Sequence, residues 1–217
     1  MLFPYRTVEE IILVALTLAI AFSVHEFAHA FVAWKFGDNT AKNQGRLTLN
    51  PIRHIDPIGA ILFFVVGFGW ARPVPVNRFF FKNPRLAGIL VSAAGPFSNL
   101  LLGTLGLLAY LFIMKYTVGG VFAETLISFL WLFFGVNLLL FLFNLLPFPP
   151  LDGYRILEDF APNGLRAKMT QYEQYGALIF LILVLTPLGD YTISPLFGSV
   201  LPALQEVLFE FFVQFFR

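Results

Sequence analysis

Three long stretches of this chain contain no acidic or basic residue, and they constrain its fold more than any other feature. Leu86 to Met114 runs for 29 residues without a charge, Thr125 to Leu151 for 27, and Ile11 to Val24 for 14. A helix needs about 20 mostly apolar residues to cross the hydrocarbon core of a bilayer. The third stretch reaches that length because the apolar pattern extends from Val8 to about Lys35. The pattern therefore predicts at least three membrane-spanning helices.

Composition agrees with a membrane protein and excludes other classes. Of the 217 residues, 58% are hydrophobic and only 12% are charged, about half the charged share of a soluble domain. A soluble globular fold is excluded because the chain cannot provide a charged surface, and disorder is excluded because apolar residues dominate. The 14 Lys and Arg against 13 Asp and Glu, with no dense basic tract, predict no nucleic-acid partner. The absence of Cys removes disulfides, iron–sulfur clusters and Cys-ligated zinc.

Three further apolar segments are harder to assign. Gln174 to Gly189 has 16 uncharged residues and indicates a shorter span. The tail from Ser194 to Arg217 contains Glu206 and Glu210, so it either crosses the membrane obliquely or lies at the interface as an amphipathic helix. Pro57 to Ala71 is short and broken by Gly and Pro, which predicts a re-entrant or buried hairpin whose backbone is covered by protein. The expected fold class is an all-α polytopic membrane protein with about four to six transmembrane helices.

Two polar or proline-rich stretches predict a small membrane-associated β element. Lys42 to Ile55 is polar and alternates weakly with apolar residues at Arg46 to Asn50, as a short strand does. Ala71 to Val76 contains two prolines, and each biases the residue before it towards extended backbone. We expect these two stretches to pair as a small sheet at the membrane surface.

The basic residues predict the orientation of the chain. Eight of the 14 Lys and Arg residues lie between Lys35 and Arg85, where the only acidic residues are Asp38 and Asp56. Cytoplasmic loops of membrane proteins carry such an excess of positive charge. We therefore expect an outside N-terminus and a cytoplasmic loop after the first helix. No cleavable signal peptide is expected, because that helix runs directly into polar residues and not into a small-residue cleavage site.

The first apolar helix contains the sequence His25-Glu26-Phe27-Ala28-His29, which has the pattern H-E-x-x-H. On a helix, residues four apart share one face, with Cβ atoms about 5–6 Å apart. This spacing lets both imidazoles bind one Zn²⁺ at about 2.0–2.1 Å. Glu26 can then act as general base on the water that the metal activates. The alternative, two interfacial histidines facing headgroups beside a snorkelling glutamate, leaves three ionisable groups without partners at the end of an apolar helix.

Two histidines leave zinc one protein ligand short, and the remaining choices are His54 and the acidic residues. Asp152 is favoured because it follows the third long apolar stretch, at the same predicted membrane face as His29. Prolines before it break the helix and expose backbone groups to a polar cavity. Asp-Gly is also a common turn, so the local sequence alone is compatible both with a metal ligand and with an acidic residue of a loop. His54 could likewise ligate zinc, bond to substrate or pair with Asp56 as a structural residue.

The H-E-x-x-H helix and the later sequence N-x-x-P-x-x-x-L-D-G, which runs from Asn144 to Gly153, resemble the site-2 protease family of intramembrane zinc metalloproteases. The resemblance is to the small prokaryotic branch that lacks a PDZ domain, and it covers roughly Phe22 to Leu157. It continues between the two motifs in four stretches: Gly45–Pro51, His54–Gly59, Gly69–Asn77 and Ala94–Asn99.

The resemblance implies a role for each residue that matches a family motif. His25, His29 and Asp152 are implied as the ligands of one Zn²⁺ per chain, and Glu26 as the catalytic base. Asn144 is implied to position substrate or stabilise the oxyanion, although an interhelical hydrogen bond would also explain an amide at this place. The implied substrate is a membrane protein that is cut in or near its transmembrane helix.

Two other polar residues are assigned to substrate contact or to support of the site, His54 and Asn99. Asn99 lies among small residues that favour close helix contact, so its stretch is interpreted as packing around the site. The extended stretches around Leu47 and Val74 are expected to receive an unwound substrate as an added strand.

The sequence therefore predicts a zinc endopeptidase in the bilayer of a prokaryotic plasma membrane, with its active site near the cytoplasmic face. It is interpreted as one domain over residues 1–217, with a core at 8–157 and C-terminal helices at 172–217. The alternatives are a membrane metal-ion transporter, which would need polar groups through the whole membrane depth, and an inactive protease-like scaffold, which would not need every motif residue. The identity of the substrate and the oligomeric state are left open.

Overall fold

The computed structural model describes residues 7–66, 69–117, 119–176, 178–179, 182 and 186–216, and within this part the chain is mostly helical. The helices are α1 (Val8–Lys35), α2 (Thr40–Asn43), α3 (Pro57–Val66), α4 (Pro84–Tyr116), α5 (Val121–Asn144), α6 (Asp152–Phe160), α7 (Asn163–Glu173) and α8 (Leu188–Phe216). Of these, α1, α4, α5 and α8 are long and apolar enough to cross a membrane. The prediction of an all-α polytopic membrane protein is confirmed.

The C-terminal helix α8 is interrupted rather than uniform. It comprises an α-helical start at Leu188–Thr192, a π-helical turn at Leu196–Val200, the α-helix Leu201–Val213 and a final 3-10 turn at Gln214–Phe216. For the tail, the sequence was compatible with either a membrane span or an interfacial helix. In the structure it belongs to a helix that is long enough to span. The shorter span expected at Gln174–Gly189 falls partly outside the described residues, at 177, 180–181 and 183–185.

Helix α1 begins where the sequence provides a capping box. The Thr7 hydroxyl accepts a hydrogen bond from the backbone N–H of Glu10 at 3.2 Å, and the Glu10 carboxylate accepts one from the Thr7 N–H at 3.2 Å. The helix ends at Lys35, whose charge suits the negative end of the helix dipole, and Gly37 turns the chain with a φ of 103°. The predicted extent of this helix, from Val8 to about Lys35, is confirmed.

Helix α4 is the centre of the bundle, because it packs against α1, α5 and α6. It runs antiparallel to α1: Ala87 near its start packs with Ala33, whereas Asn99 further along contacts Ala21. It is also antiparallel to α5. The histidine-bearing end of α1 and the C-terminal end of α5 therefore lie on the same side of the bundle, as the sequence predicted.

The opposite side of the bundle is held by an apolar cluster. Its buried members come from α4 and α5: Leu107, Leu111, Phe134 and Leu138. Helix α8 packs against them through a row of apolar side chains: Leu201, Leu204, Leu208, Phe209 and Phe212. The fourth long helix thus closes the bundle away from the histidines.

The predicted small sheet was wrong for the described residues. Arg46 to Asn50 forms no strand, and the two stretches meet in one isolated antiparallel bridge, between Ile55 and Ala71. Prolines account for this, because they lack the N–H that a ladder of hydrogen bonds needs. They interrupt both stretches: Pro51, Pro73 and Pro75.

The segment that was expected to be a re-entrant hairpin leaves the bridge and returns to it. Asp56 caps the start of α3 by accepting hydrogen bonds from the backbone N–H groups of Ile58 and Gly59, at 3.0 and 2.9 Å. The returning chain lies so close that a Cβ at Gly59 would overlap the backbone of Trp70. The two ends of the hairpin are therefore side by side, whereas residues 67–68 and the side chains of 62–68 lie outside the described part.

Charged residues hold α6 in place. Its buried Asp159 pairs with Arg78 of the loop that precedes α4 and with Arg166 of α7, the latter at 3.1 Å. Arg78 also lies 3.6 Å from Glu158. Gly88 of α4 makes room for this contact, since a Cβ there would overlap the Asp159 carboxylate. These ion pairs hold the C-terminal end of α6 against α4 and α7.

Candidate active site

Three ligand atoms from distant parts of the chain meet at one end of the bundle. His25 Nε2 lies 2.9 Å from His29 Nε2, and the Asp152 Oδ2 lies 3.2 and 3.3 Å from these two nitrogens. Helix α1 provides the histidines one turn apart, and α6 provides the aspartate as its first residue. Among the described residues this is the one group of His and acidic side chains with spacing suited to a metal ion.

The size of this triangle fits a zinc ion. Ligand atoms about 2.05 Å from a tetrahedral zinc lie about 3.3 Å from one another, close to the three distances observed. Burial would raise the pKa of the Asp152 carboxyl, but the imidazoles of His29 and His25 hold that pKa well below its usual range. The aspartate is therefore a carboxylate, as a metal ligand must be.

The second nitrogen of each imidazole is tied to an acceptor. His29 Nδ1 donates to the backbone carbonyl of Val91 at 2.7 Å, and His25 Nδ1 donates to the Asn99 Oδ1 at 2.6 Å. These acceptors place a hydrogen on each Nδ1, so each Nε2 can offer a lone pair to a metal ion once it carries no proton. A cation that takes the place of the Nε2 protons would therefore meet three acceptors: the two nitrogens and the Asp152 carboxylate. The residues present therefore fit the zinc ion that the resemblance implies.

Asn99 extends this support across three helices. Its Nδ2 donates to the carbonyl of Ala21 at 3.3 Å and to the Oδ1 of Asn137 at 3.0 Å. Because the Ala21 carbonyl can only accept, these bonds turn the Asn99 oxygen towards His25. Asn137 in turn donates to the carbonyl of Phe133 at 2.8 Å, and both amide side chains are 0% exposed. Asn99 thus connects His25 to α1 and α5 by hydrogen bonds, and its assignment to the support of the site stays a prediction.

Asn137 was not among the candidate site residues predicted from the sequence. It lies in the middle of the apolar stretch Thr125 to Leu151, where an amide is costly unless it has a partner. That rule was the signal that could have identified it.

Gly95 lets α4 approach the histidines. A Cβ at this position would lie 2.6 Å from His25 Nε2 and closer still to the ring of His29. No larger residue fits there unless the imidazoles move. The small residue that the sequence suggested for helix packing therefore lies against the candidate metal site itself.

Glu26 is held by the backbone of the segment that returns from the hairpin. Its Oε2 accepts a hydrogen bond from the N–H of Val74 at 2.9 Å, and its side chain is almost fully buried. Val74 lies between Pro73 and Pro75, so it provides the only N–H among these three residues, which we name the strap. Nothing in the sequence alone indicated that this donor would meet Glu26.

A cavity of about 260 Å³ connects these groups. It is lined by the two histidines, Glu26, Asp152 and the strap residue Val74, with Phe22 and Trp70 among its apolar walls. Asn144 also lines it. The Asn144 Nδ2 donates to the carbonyl of Leu140 at 2.9 Å, and its second hydrogen remains for another acceptor.

His54 is placed apart from the three candidate metal ligands. It is fully buried, it does not line this cavity, and its Nε2 donates to the carbonyl of Thr48 at 2.7 Å. Its own carbonyl accepts a hydrogen bond from the N–H of Arg72 at 2.8 Å. His54 therefore connects the loop after α1 to the segment that leads into the strap, and of the two residues weighed as the third ligand, Asp152 is the one beside the histidines.

Comparison with protein families agrees with this geometry. Residues 13–187 match the family model described as peptidase family M50. The matched range includes both histidines, Glu26 and Asp152. No solved structure matches the chain.

Named bacterial proteins are similar to the chain over most of its length. "Putative zinc metalloprotease YwhC" of Bacillus subtilis is 57% identical over 188 residues, which cover 85% of this chain and 85% of that protein. "Putative zinc metalloprotease Rip2" of Mycolicibacterium smegmatis is 34% identical over 189 residues, covering 85% of this chain and 71% of that protein. The protein of the same name from Mycobacterium tuberculosis is 34% identical over 180 residues, covering 77% and 64%.

Proposed function

Because the chain belongs to peptidase family M50, we propose that it is an intramembrane endopeptidase that cuts membrane proteins in or near their transmembrane segments. The chain is a zinc metalloprotease of this family, and its four long apolar helices make it an integral membrane protein. The observation that carries the proposal is the meeting of three ligand atoms and a buried glutamate in one cavity at the end of the bundle. No observation favours a metal transporter or an inactive scaffold over this function.

Each residue of the cavity has a chemical role in the proposed reaction. His25, His29 and Asp152 would hold zinc, which when bound polarises the scissile carbonyl and makes water more acidic. Glu26 takes a proton from the attacking water and later gives it to the leaving amine. Since Val74 occupies Oε2 of Glu26, the proton moves through Oε1. The free N–H of the Asn144 amide donates to the oxygen on which negative charge develops.

The strap restricts how an unwound substrate can bind. Successive residues of an extended chain direct their N–H and C=O groups to opposite sides. Arg72 and Val74 turn their N–H groups inward, the second of them to Glu26. Pro73 and Pro75 face the other way and have no N–H. The added strand expected from the sequence must therefore donate its own N–H groups to carbonyls of the strap.

The orientation of the chain follows from the same elements. We place the active site at the cytoplasmic face of the plasma membrane, because the ligand-bearing end of α1 leads directly into the loop that is rich in Lys and Arg. Helix α4 contacts α1, α5 and α6, which supports a single domain that contains the whole site.

The test is Glu26→Gln, which keeps the size and polarity of the side chain but removes the base. The purified variant and the parent protein are reconstituted in vesicles with a panel of single-pass membrane proteins, and cleavage and zinc content are measured together. We expect about one zinc per chain in both proteins and cleavage only by the parent. Removal of zinc by a chelator should abolish cleavage, and added zinc should restore it.

Glu124→Gln is the matched control, because it makes the same chemical change at the exposed start of α5. It should leave both zinc and cleavage unchanged. Equal cleavage by Glu26→Gln and the parent protein would overturn the assignment of the base. Zinc bound normally after His25→Ala or Asp152→Ala would overturn the ligand assignment.

A further inference from the structure

A second polar cavity, of about 500 Å³, lies in the loop that connects α1 to the strap. Three of its lining residues are arginines, and the others are polar or apolar residues of the same loop. We name it the arginine cavity, and its lining is Gln44, Arg46, Asn50, Ile52, Arg53 and Arg72.

The three positive charges of this cavity lie beyond ion-pair distance of every carboxylate in the described part of the chain. The two acids of this part of the chain are used elsewhere: Asp38 and Asp56 each accept two hydrogen bonds from backbone N–H groups. Three like charges around one space repel one another, so an anion in that space would be favourable.

Arg46 makes this imbalance costly, because it is only 5% exposed. Its guanidinium donates to the carbonyl of Arg72 at 2.5 Å, while its buried Nε has no partner among the described atoms. Burial lowers the pKa of Arg46, and Arg72 lowers it further against the opposing effect of Glu26. A buried charge is normally paired, and phosphate is a bidentate partner for arginine.

The apolar side chains beside the arginines indicate where such an anion comes from. Ile52 lines the cavity and is 80% exposed, and Leu49 and Ile55 on the same loop are 57% and 40% exposed. Exposed aliphatic side chains next to arginines are suited to a membrane interface, where the former meet acyl chains and the latter meet headgroups. A soluble anion would give these aliphatic side chains no partner.

We propose that the arginine cavity binds the phosphate of an anionic phospholipid, with Ile52 against the acyl chains. Arg53 and Arg72 are exposed and reach the phosphate from the solvent side, and Arg46 forms the buried wall. A zwitterionic lipid binds less well, because its ammonium group lies near three guanidinium groups. Arg72 directly precedes the strap, so a filled cavity also stabilises the segment that holds Glu26.

The test is lipid binding to the full chain, measured by native mass spectrometry in a neutral detergent. Phosphatidylglycerol and phosphatidylcholine are titrated separately against the parent protein and against Arg53→Gln/Arg72→Gln, which leaves the buried Arg46 intact. Lys82→Gln is the matched control, since it removes one exposed charge outside the cavity. We expect phosphatidylglycerol to bind about tenfold tighter than phosphatidylcholine, and the double variant to lose about tenfold or more of that affinity.

Three results would overturn the proposal. Equal binding of phosphatidylglycerol by the double variant and the parent protein would remove the cavity from lipid recognition. Displacement of the lipid by millimolar glycerol phosphate or inorganic phosphate would assign the site to a soluble anion. Displacement by an acidic peptide would assign it to a protein segment.

The effect on catalysis rests on the proposed function, whereas the binding does not. Vesicles with phosphatidylglycerol should support faster cleavage than vesicles of phosphatidylcholine alone, and the double variant should lose this difference. If the chain binds phosphatidylglycerol but Glu26→Gln changes no cleavage, the proposed function fails and the lipid site stands. If cleavage depends on Glu26 and lipid binding is unselective, the lipid site fails alone.

Discussion

The two halves of α4 make different kinds of contact. The half that begins at Pro84 presents Gly95 and Asn99 to the histidines of α1. The other half presents Leu107 and Leu111 to the apolar cluster with α5 and α8. One helix thus carries a polar contact with directional hydrogen bonds and an apolar contact without them.

The first half of α4 is therefore constrained in its distances to the ligands, and the second half in the volume that its side chains fill. In the first half a displacement of a few tenths of an ångström changes a ligand distance, since metal–nitrogen bonds tolerate about 0.2 Å. In the second half only the filled volume counts, because dispersion contacts have no preferred direction. Substitutions in the first half should therefore change metal binding, and substitutions in the second half should change stability alone.

The largest effect is expected from Gly95→Ala. The new Cβ would lie 2.6 Å from His25 Nε2, so the imidazoles must move out of the triangle. We expect zinc affinity to fall by about 100-fold or more, beyond what loss of a supporting hydrogen bond costs. Competition with a chelator of known affinity measures this. Gly103→Ala in the same helix meets Asn137 and the Phe134 carbonyl at 3.3 Å and should lose at most a few-fold of zinc affinity. Equal zinc affinity of Gly95→Ala and the parent protein would contradict the claim that the first half of α4 constrains the ligand distances.

Asn99→Leu should have the next largest effect. It removes the acceptor that holds the His25 Nδ1 hydrogen, and we expect a 10- to 100-fold loss of zinc affinity. Asn137→Leu leaves that acceptor in place and removes only the partner of Asn99, so its loss should be a few-fold. The absorption spectrum of the cobalt-substituted protein should change in the same order. A larger effect at Asn137 than at Asn99 would show that the pair serves helix packing rather than the ligand.

Val74→Pro tests whether a hydrogen bond from the strap, and not only those from α4, positions a residue of the site. It removes the N–H that holds Glu26, while the metal ligands keep their positions. We expect kcat to fall about tenfold with zinc content unchanged. Val74→Ala keeps the N–H and should retain most of kcat. Cleavage at the full rate by Val74→Pro would mean that this hydrogen bond does not position the base.

The smallest effect on the site is expected from Leu107→Ala in the apolar half. Leu107 is 0% exposed, so its truncation leaves a cavity and should cost about 2–3 kcal/mol of unfolding free energy. Zinc content per folded chain and the rate of the folded fraction should not change. Thermal unfolding in detergent, followed with zinc analysis of the folded fraction, measures both quantities. Loss of zinc from folded Leu107→Ala would show that the two halves are coupled.

Much of the fold could be read from local pattern. The extent of α1 followed from its apolar length and capping residues, and α4 from its charge-free stretch. The charge-free stretch Thr125 to Leu151 contains most of α5, which begins earlier, at Val121, and ends at Asn144, before the prolines that were expected to break the helix. The predicted small sheet was wrong because weak alternation at Arg46–Asn50 does not make a strand where prolines remove the N–H groups that a ladder needs.

The sequence by itself determined the helices and the kinds of ligand, since apolar length and the four-residue spacing of His25 and His29 are local properties. Only the tertiary structure decided which acid joins them, which amide orients His25, and which backbone N–H holds Glu26. The last two contacts join residues 74 and 48 positions apart. No local pattern specifies such pairs, because their distances depend on how α4 and the strap pack against α1.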